Sequence, residues 1–177
     1  MRTLIAYESM FGNTHVIASE IASGFEVSGS ARLESIHKVT PELLDWADLF
    51  IVGGPTHAHG LTSSQSRKGA YEQAAKSNGD LSLDPDAEGE GLRDWFKQCG
   101  RIEGKLAAAF DTRYDAAPIL TGRASRGISR RLTDHGFTLA CEPESFLVDK
   151  YNGLIAGEDV RAMRWGIDLS NTLAVSH

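Results

Sequence analysis

Tyr7-Glu8-Ser9-Met10-Phe11-Gly12-Asn13-Thr14 is the stretch that decides how this chain is read. An apolar run, Leu4 to Tyr7, leads into it as a strand, and a helical pattern leads out of it. Between the two lie hydroxyl, glycine and amide side chains. A helix start of this kind gathers several backbone N–H groups at one point, where the helix dipole favours negative charge. Ser9 and Thr14 add hydroxyl donors, Asn13 adds an amide, and Gly12 allows close backbone approach. Met10 and Phe11 contribute N–H groups, while their side chains pack. The stretch reads as a phosphate cradle built without a lysine. An ordinary strand-to-helix turn with a Ser/Thr cap has the same local composition, so the loop needs support from the rest of the chain.

Outward from this loop, strand and helix signals alternate. Residues 14–25 read as a helix with Ile17, Ile21 and Phe25 on one stripe. Residues 31–36 read as a second strand, and Pro41–Trp46 as a short helix with Thr40 as its N-cap. Residues 48–53 hold the buried strand Leu49-Phe50-Ile51-Val52, which ends in Gly53-Gly54-Pro55. A helix over 65–75, a loop over 77–91 and a short amphipathic helix through Leu92, Trp95, Phe96 and Cys99 follow. Residues 105–111 make a fourth strand, then a loop runs to Gly122. A helix over 123–135 comes next, followed by a fifth strand over 137–148 bent near Pro143 and a last helix from Glu158. Five strands alternating with helices predict an open, mostly parallel sheet covered on both faces, with the ligand at the carboxyl ends of strands near a switch in strand order. Periodicity alone leaves the order open.

The 177 residues predict one domain, 1–177, with a full core. Hydrophobic content of 41% and a formal charge of −6 fit a soluble globular chain and argue against nucleic acid or an anionic membrane as the main partner. Cys99 and Cys141 stand in no metal or redox spacing, and no signal pattern or membrane-length apolar run occurs. A cytoplasmic location is the expectation. His57 and His59, two apart with no carboxylate or cysteine nearby in sequence, make a poor metal site.

The pattern Tyr7-x-Ser9-x-x-Gly12-x-Thr14-x-x-x-Ala18-x-x-Ile21 resembles the signature of flavodoxin-like proteins, with Ala6 in place of a usually larger apolar residue. Three further segments carry the resemblance along nearly the whole chain. Gly53-Gly54-Pro55-Thr56-His57-Ala58-His59-Gly60 follows the third strand, where such proteins place their first flavin-ring loop. Asp111-Thr112-Arg113-Tyr114 follows the fourth strand, where they place the second. The segment from Gly153 to Gly166 is similar to their closing turn and helix. The resemblance implies a three-layer, doubly wound, five-stranded parallel sheet of order 2-1-3-4-5, the order in which flavodoxin holds FMN at its β1/β3 switch point.

The resemblance also implies the roles. FMN is the expected cofactor. Its phosphate would sit on Ser9, Met10, Phe11, Gly12, Asn13 and Thr14. Its ring would lie between the Pro55, Thr56, His57, Ala58, His59 and Gly60 loop and the Asp111, Thr112, Arg113 and Tyr114 loop. Tyr114 would stack on the ring. Arg113 could oppose negative charge on the reduced flavin and Asp115 do the reverse, but a solvated Arg113–Asp115 pair is the preferred reading of the two. No tryptophan stands in the ring loops, unlike many small electron carriers. Two functions follow: an electron carrier serving a redox partner protein, or a quinone-reductase-type enzyme taking hydride from NAD(P)H. A relative that has lost FMN is a third reading, against which the intact cradle speaks. The acidic residues Asp80, Asp84, Asp86, Glu88 and Glu90 are expected to form a solvated, mobile loop. Arg123, Arg126, Arg130 and Arg131 are expected on a solvent face, and both cysteines in the core.

Overall fold

A computed structural model describes residues 1–26, 29–57, 60–77 and 81–175. β1 (Arg2–Tyr7) pairs with β2 (Ser30–Ser35) on one side and β3 (Leu49–Pro55) on the other. β4 (Leu106–Tyr114) lies against β3. The outer position beside β4 is filled in two steps, by β5 (Thr138–Leu139) and then β6 (Glu144–Val148). Among the described residues every strand-to-strand pairing is parallel, and the order is β2-β1-β3-β4-β5 with β6 also on β4. The single bent strand expected over 137–148 is thus two strands. Pro143, which has no N–H to give a ladder, stands in the break.

The central strands β1 and β3 and the first half of β4 are apolar on both sides because both faces are covered there, which hides their period of two, whereas the edge strand β2 is mixed. Leu4 and Ala6 join Phe50, Val52, Ala107 and Ala109 in one core. That face is covered by α2 (Pro41–Trp46), α4 (Leu92–Gln98) and α6 (Ala124–Asp134). Ile5 and Tyr7 join Leu49, Ile51, Ala108 and Phe110 in the other, beneath α1 (Asn13–Glu26) and α7 (Glu158–Val175). Thr40 caps α2 as expected, its hydroxyl accepting the Leu43 N–H at 3.4 Å.

α1 and α7 touch through glycines. A Cβ on Gly24 would lie 2.4 Å from the Met163 carbonyl oxygen, and one on Gly166 would lie 2.6 Å from that of Ile21. Two further glycines end β3. A Cβ on Gly53 would meet the Phe110 ring at 2.0 Å, and one on Gly54 would meet Leu92 Cδ1 at 2.5 Å. These two positions are small because the core presses on them. Among the described residues no helix is long and apolar enough to cross a membrane.

Candidate functional site

β1 and α1 are joined by five residues at the carboxyl edge of the sheet. Gly12 there has φ of +91°, a conformation that favours glycine. The Ser9 hydroxyl oxygen accepts the Gly12 N–H at 3.1 Å, and Gly12 O accepts the Val16 N–H at 2.9 Å. That is the first bond of α1, so the amides of Asn13, Thr14 and His15 lie ahead of it, as an anion-binding helix start requires. The Thr14 hydroxyl lies 2.8 Å from that of Thr112 on β4. Only one of these two O–H groups can donate within the pair, which leaves a second proton for a ligand. The Asn13 side-chain amide donates instead to Asn152 O at 2.8 Å, tying the cradle to the loop between β6 and α7. Met10 is buried against Ala70 and Ala87, with Phe11 beside it.

β3 runs on to Pro55, and the Thr56 N–H donates to Thr112 O at 2.8 Å. The Thr56 hydroxyl accepts the Ala124 N–H at 2.9 Å and so heads α6. His57 and Gly60 exchange two backbone hydrogen bonds of 2.8 Å, closing a tight loop. Burial holds the His57 imidazole below its ordinary range, against the pull of the Glu8 charge. Ala58 and His59 lie outside the described residues.

β4 extends to Tyr114, three residues beyond the expected strand. Thr112 faces α1, whereas Asp111 is fully buried with Oδ2 accepting the Ser125 N–H of α6 at 2.7 Å. Arg113 is 8% exposed, and Tyr114 stands half-exposed at the rim. The expected loop to Gly122 contains a further helical turn, α5 (Pro118–Thr121). Arg113 Nη1 donates to Tyr114 O at 3.1 Å, to Ala116 O at 2.7 Å and to the Thr121 hydroxyl at 3.4 Å.

These loops enclose a cavity of about 410 Å³, within the range of small-molecule sites. From the first loop and the start of α1, Ser9, Met10, Phe11, Asn13 and Thr14 line it; from the end of β3 and beyond, Pro55, Thr56 and His57; from the end of β4, which replaces the expected third loop, Thr112, Arg113 and Tyr114. Gly12, Gly60 and Asp111 are not on its wall. Gly12 shapes the turn, Gly60 closes the second loop, and Asp111 holds α6. Five residues that sequence reasoning missed also line it: Gln73, Leu120, Thr121, Val148 and Asn152. Three of these had local signals: Leu120 and Thr121, in the turn that Pro118 starts, and Asn152. Pro118 suits a first helical position, and Asn152-Gly153 is a turn dipeptide whose asparagine has φ of +66°.

Of the acidic segment, Asp80 lies outside the described residues and Glu88 and Glu90 are exposed as expected, but Asp84 and Asp86 are tied down. Asp84 is buried, its N–H donates to Met10 O at 2.8 Å, and its carboxylate meets His15 Nδ1 at 3.1 Å. Asp86 accepts the Tyr7 hydroxyl at 3.0 Å and Lys38 Nζ at 2.5 Å. Burial and the Asp86 hydrogen bond push the Tyr7 phenol up, so it stays a donor. Glu8 is also buried. It accepts the Thr62 hydroxyl and, at 2.8 Å, the Leu92 N–H, with Arg67 Nη1 at 3.8 Å. Arg67 belongs to α3 (Ser64–Lys76), which covers the cradle through Ala70 and Tyr71. Of the four arginines expected on a solvent face, Arg123 and Arg131 are only partly exposed. Both cysteines are partly buried, packed against the edges of the two cores rather than inside them.

No protein-family model matches the sequence, and no curated protein matches it. Solved structures do. Flavodoxin 2 from Bacillus cereus superposes with a TM-score of 0.65 at 20% identity, covering 97% of this chain and 99% of that one. A flavodoxin from the domain Archaea gives 0.64 at 19% identity, covering 98% and 99%. A flavodoxin, WrbA-like protein from Agrobacterium tumefaciens gives 0.54 at 20% identity, covering 97% and 96%. At these identities the likeness establishes the fold, across nearly all of each chain.

Proposed function

We propose that this chain, whose fold is the flavodoxin-like one, binds FMN at the carboxyl edge of its sheet and serves electron transfer. The observation that carries the reading is the convergence of the β1–α1 loop, the end of β3 with the residues after it, and the end of β4 with α5 on one cavity beside the switch in strand order. The residues fit the cofactor. The amides heading α1, the Ser9 hydroxyl and the spare proton of the Thr14–Thr112 pair suit a phosphate. Tyr114 and Val148 give the ring an apolar wall. When bound, the isoalloxazine supplies the one- and two-electron chemistry. The chain binds the phosphate, orients the ring and keeps water from part of it. Denaturing the purified protein should release FMN, identified by mass. Ser9→Ala with Thr14→Val should weaken FMN at least tenfold while riboflavin affinity stays within about twofold. Equal losses for both would refute the phosphate assignment.

A second reading is a quinone-reductase-type enzyme using NAD(P)H. The observation favouring it is the open rim. Tyr114 and Leu120 line the cavity yet are 50% and 69% exposed, and no tryptophan is among its described lining residues. A flat substrate has room to reach the ring there. Rapid anaerobic bleaching of the bound flavin by NADH or NADPH, and re-oxidation by a quinone, would favour the enzyme. No bleaching by either nucleotide would leave the carrier.

A further inference from the structure

α4 and α6 lie side by side on one face of the sheet, joined where His135 Nε2 comes 2.8 Å from Phe96 O. Their seam gathers cations that no carboxylate answers. In a chain with a formal charge of −6, Arg93, Arg123, Arg126, Arg130 and Arg131 form no ion pair with any described residue. Burial first, then the charges of Arg93 and Arg130, holds the Arg131 guanidinium below its ordinary range, and Asp134 offsets only part of this. Two of these guanidinia are fixed from behind by backbone carbonyls. Arg93 Nε donates to Thr62 O at 2.7 Å, and its Nη2 to Leu61 O at 2.9 Å. Arg131 Nη1 donates to Gly127 O at 3.0 Å. Arg93 Nη1, on an exposed side chain, and Arg131 Nε and Nη2, which are not shut from solvent, donate to none of the described residues. Gly127 leaves the α6 backbone bare beside them: the nearest atom a Cβ there would meet is Arg131 Nη1, at 3.5 Å. Like charges held together without a counter-charge concentrate anions at that spot, and anchored guanidinium forks suit phosphate oxygens.

The seam adjoins the cavity. His57, on the cavity wall, exchanges backbone hydrogen bonds with Gly60, and a Cβ on Gly60 would come within 4.0 Å of Arg93 Nη2. Thr56, on the same wall, accepts the Ala124 N–H at the head of α6. Gly127 lies three residues further on, about 5 Å along the helix, so the Arg131 guanidinium is held about one turn from the cavity edge. We propose that the α4–α6 seam, through Arg93 and Arg131, binds the 2′-phosphate of NADPH and so makes the chain prefer NADPH to NADH. This rests on the NAD(P)H reading above. A phosphate monoester carries close to two negative charges and three acceptor oxygens, which matches several guanidinium groups in one place. The 2′-phosphate is the only monoester of the dinucleotide. It stands at the end remote from the nicotinamide, so the ring can enter at the open rim while the tail crosses the His57–Gly60 loop to the seam.

The test titrates the FMN-loaded protein with NADP+ and NAD+, which bind without reducing the flavin, and reads affinity by calorimetry. The variants are Arg131→Gln, Arg93→Gln and, as a control, Arg101→Gln, whose guanidinium is paired with Glu103 at 2.7 Å. Wild type should bind NADP+ at least about tenfold more tightly than NAD+. R131Q should cost NADP+ at least about tenfold, the loss expected for one charge-assisted hydrogen bond, while NAD+ changes less than about threefold and FMN less than about twofold. R93Q should do the same, and R101Q should leave all three unchanged. Arg93 also ties down Leu61 and Thr62, so if R93Q does not fold, R131Q carries the test. Wild type that takes up no FMN, or that binds neither nucleotide when loaded, overturns the NAD(P)H reading and this site with it. Wild type that prefers NADP+ by less than tenfold, or R131Q that weakens both nucleotides alike, overturns the site alone. A single-stranded oligonucleotide that binds wild type more tightly than NADP+ and is lost in R131Q would make the seam a nucleic-acid surface and also overturn the site.

Discussion

Asp111 is a carboxylate placed where water cannot reach it. Burial pushes its pKa up, and the Ser125 N–H pulls it back only in part. Its folded pKa therefore lies above its unfolded one. Its contribution to stability is fully present below the ordinary carboxylate range and is lost as pH rises through the raised value. At neutral pH the ionised group is a cost. Asp111→Asn keeps an acceptor for the Ser125 amide without the charge. Denaturant midpoints should be higher than wild type at pH 7.5, with the gain gone by pH 4. A loss at pH 7.5 would show that the charge itself stabilises the head of α6.

Between elements, the α1–α7 contact is governed by two glycines. Alanine at Gly24 or Gly166 would drive a methyl into a carbonyl of the facing helix at 2.4 or 2.6 Å. Neither oxygen is the end of a flexible side chain, so the helices must separate. Each substitution should cost about 1–3 kcal/mol, the usual range for overpacking, read from chemical denaturation. A double variant should cost less than the sum, because one separation relieves both clashes. The elements themselves were legible in the sequence, since long apolar runs and helical stripes survive any detail of packing. What packs where was less so. Gly53 and Gly54 open the segment expected as a flavin-ring loop, and they prove to lie in β3 and to make space for Phe110 and Leu92. α5 escaped notice because a single turn carries no periodicity. The site followed the same division. Its loops were marked by their positions after strands. Gln73, Val148 and Asn152 reach the cavity from distant parts of the chain that no local pattern connects to it.

Across the whole molecule, charge ties the acidic segment to the turn after β2 and α3 to α4. Lys38 holds Asp86, and Arg67 holds Asp94, each below the usual carboxylate range. Contributions of this sign are present above the unfolded pKa and lost as pH falls through the folded one. Below about pH 4 these ties should loosen before the sheet, which is held by apolar burial. Pepsin at pH 3 should cut within residues 77–91 first and leave the sheet intact at early times. First cuts elsewhere would contradict this. Composition gave no sign of these ties, because an acidic, glycine-rich stretch reads as solvated until its partners, Tyr7, His15 and Lys38, are seen in space. The helix contact at Gly24 and Gly166 has one more consequence, in time. The apolar face of α1 is made early in synthesis, and the helix that covers it is encoded more than a hundred residues later. β1 and β3 can take their part of that face early, but the side that carries Gly24 stays uncovered until α7 leaves the ribosome, so this contact closes last.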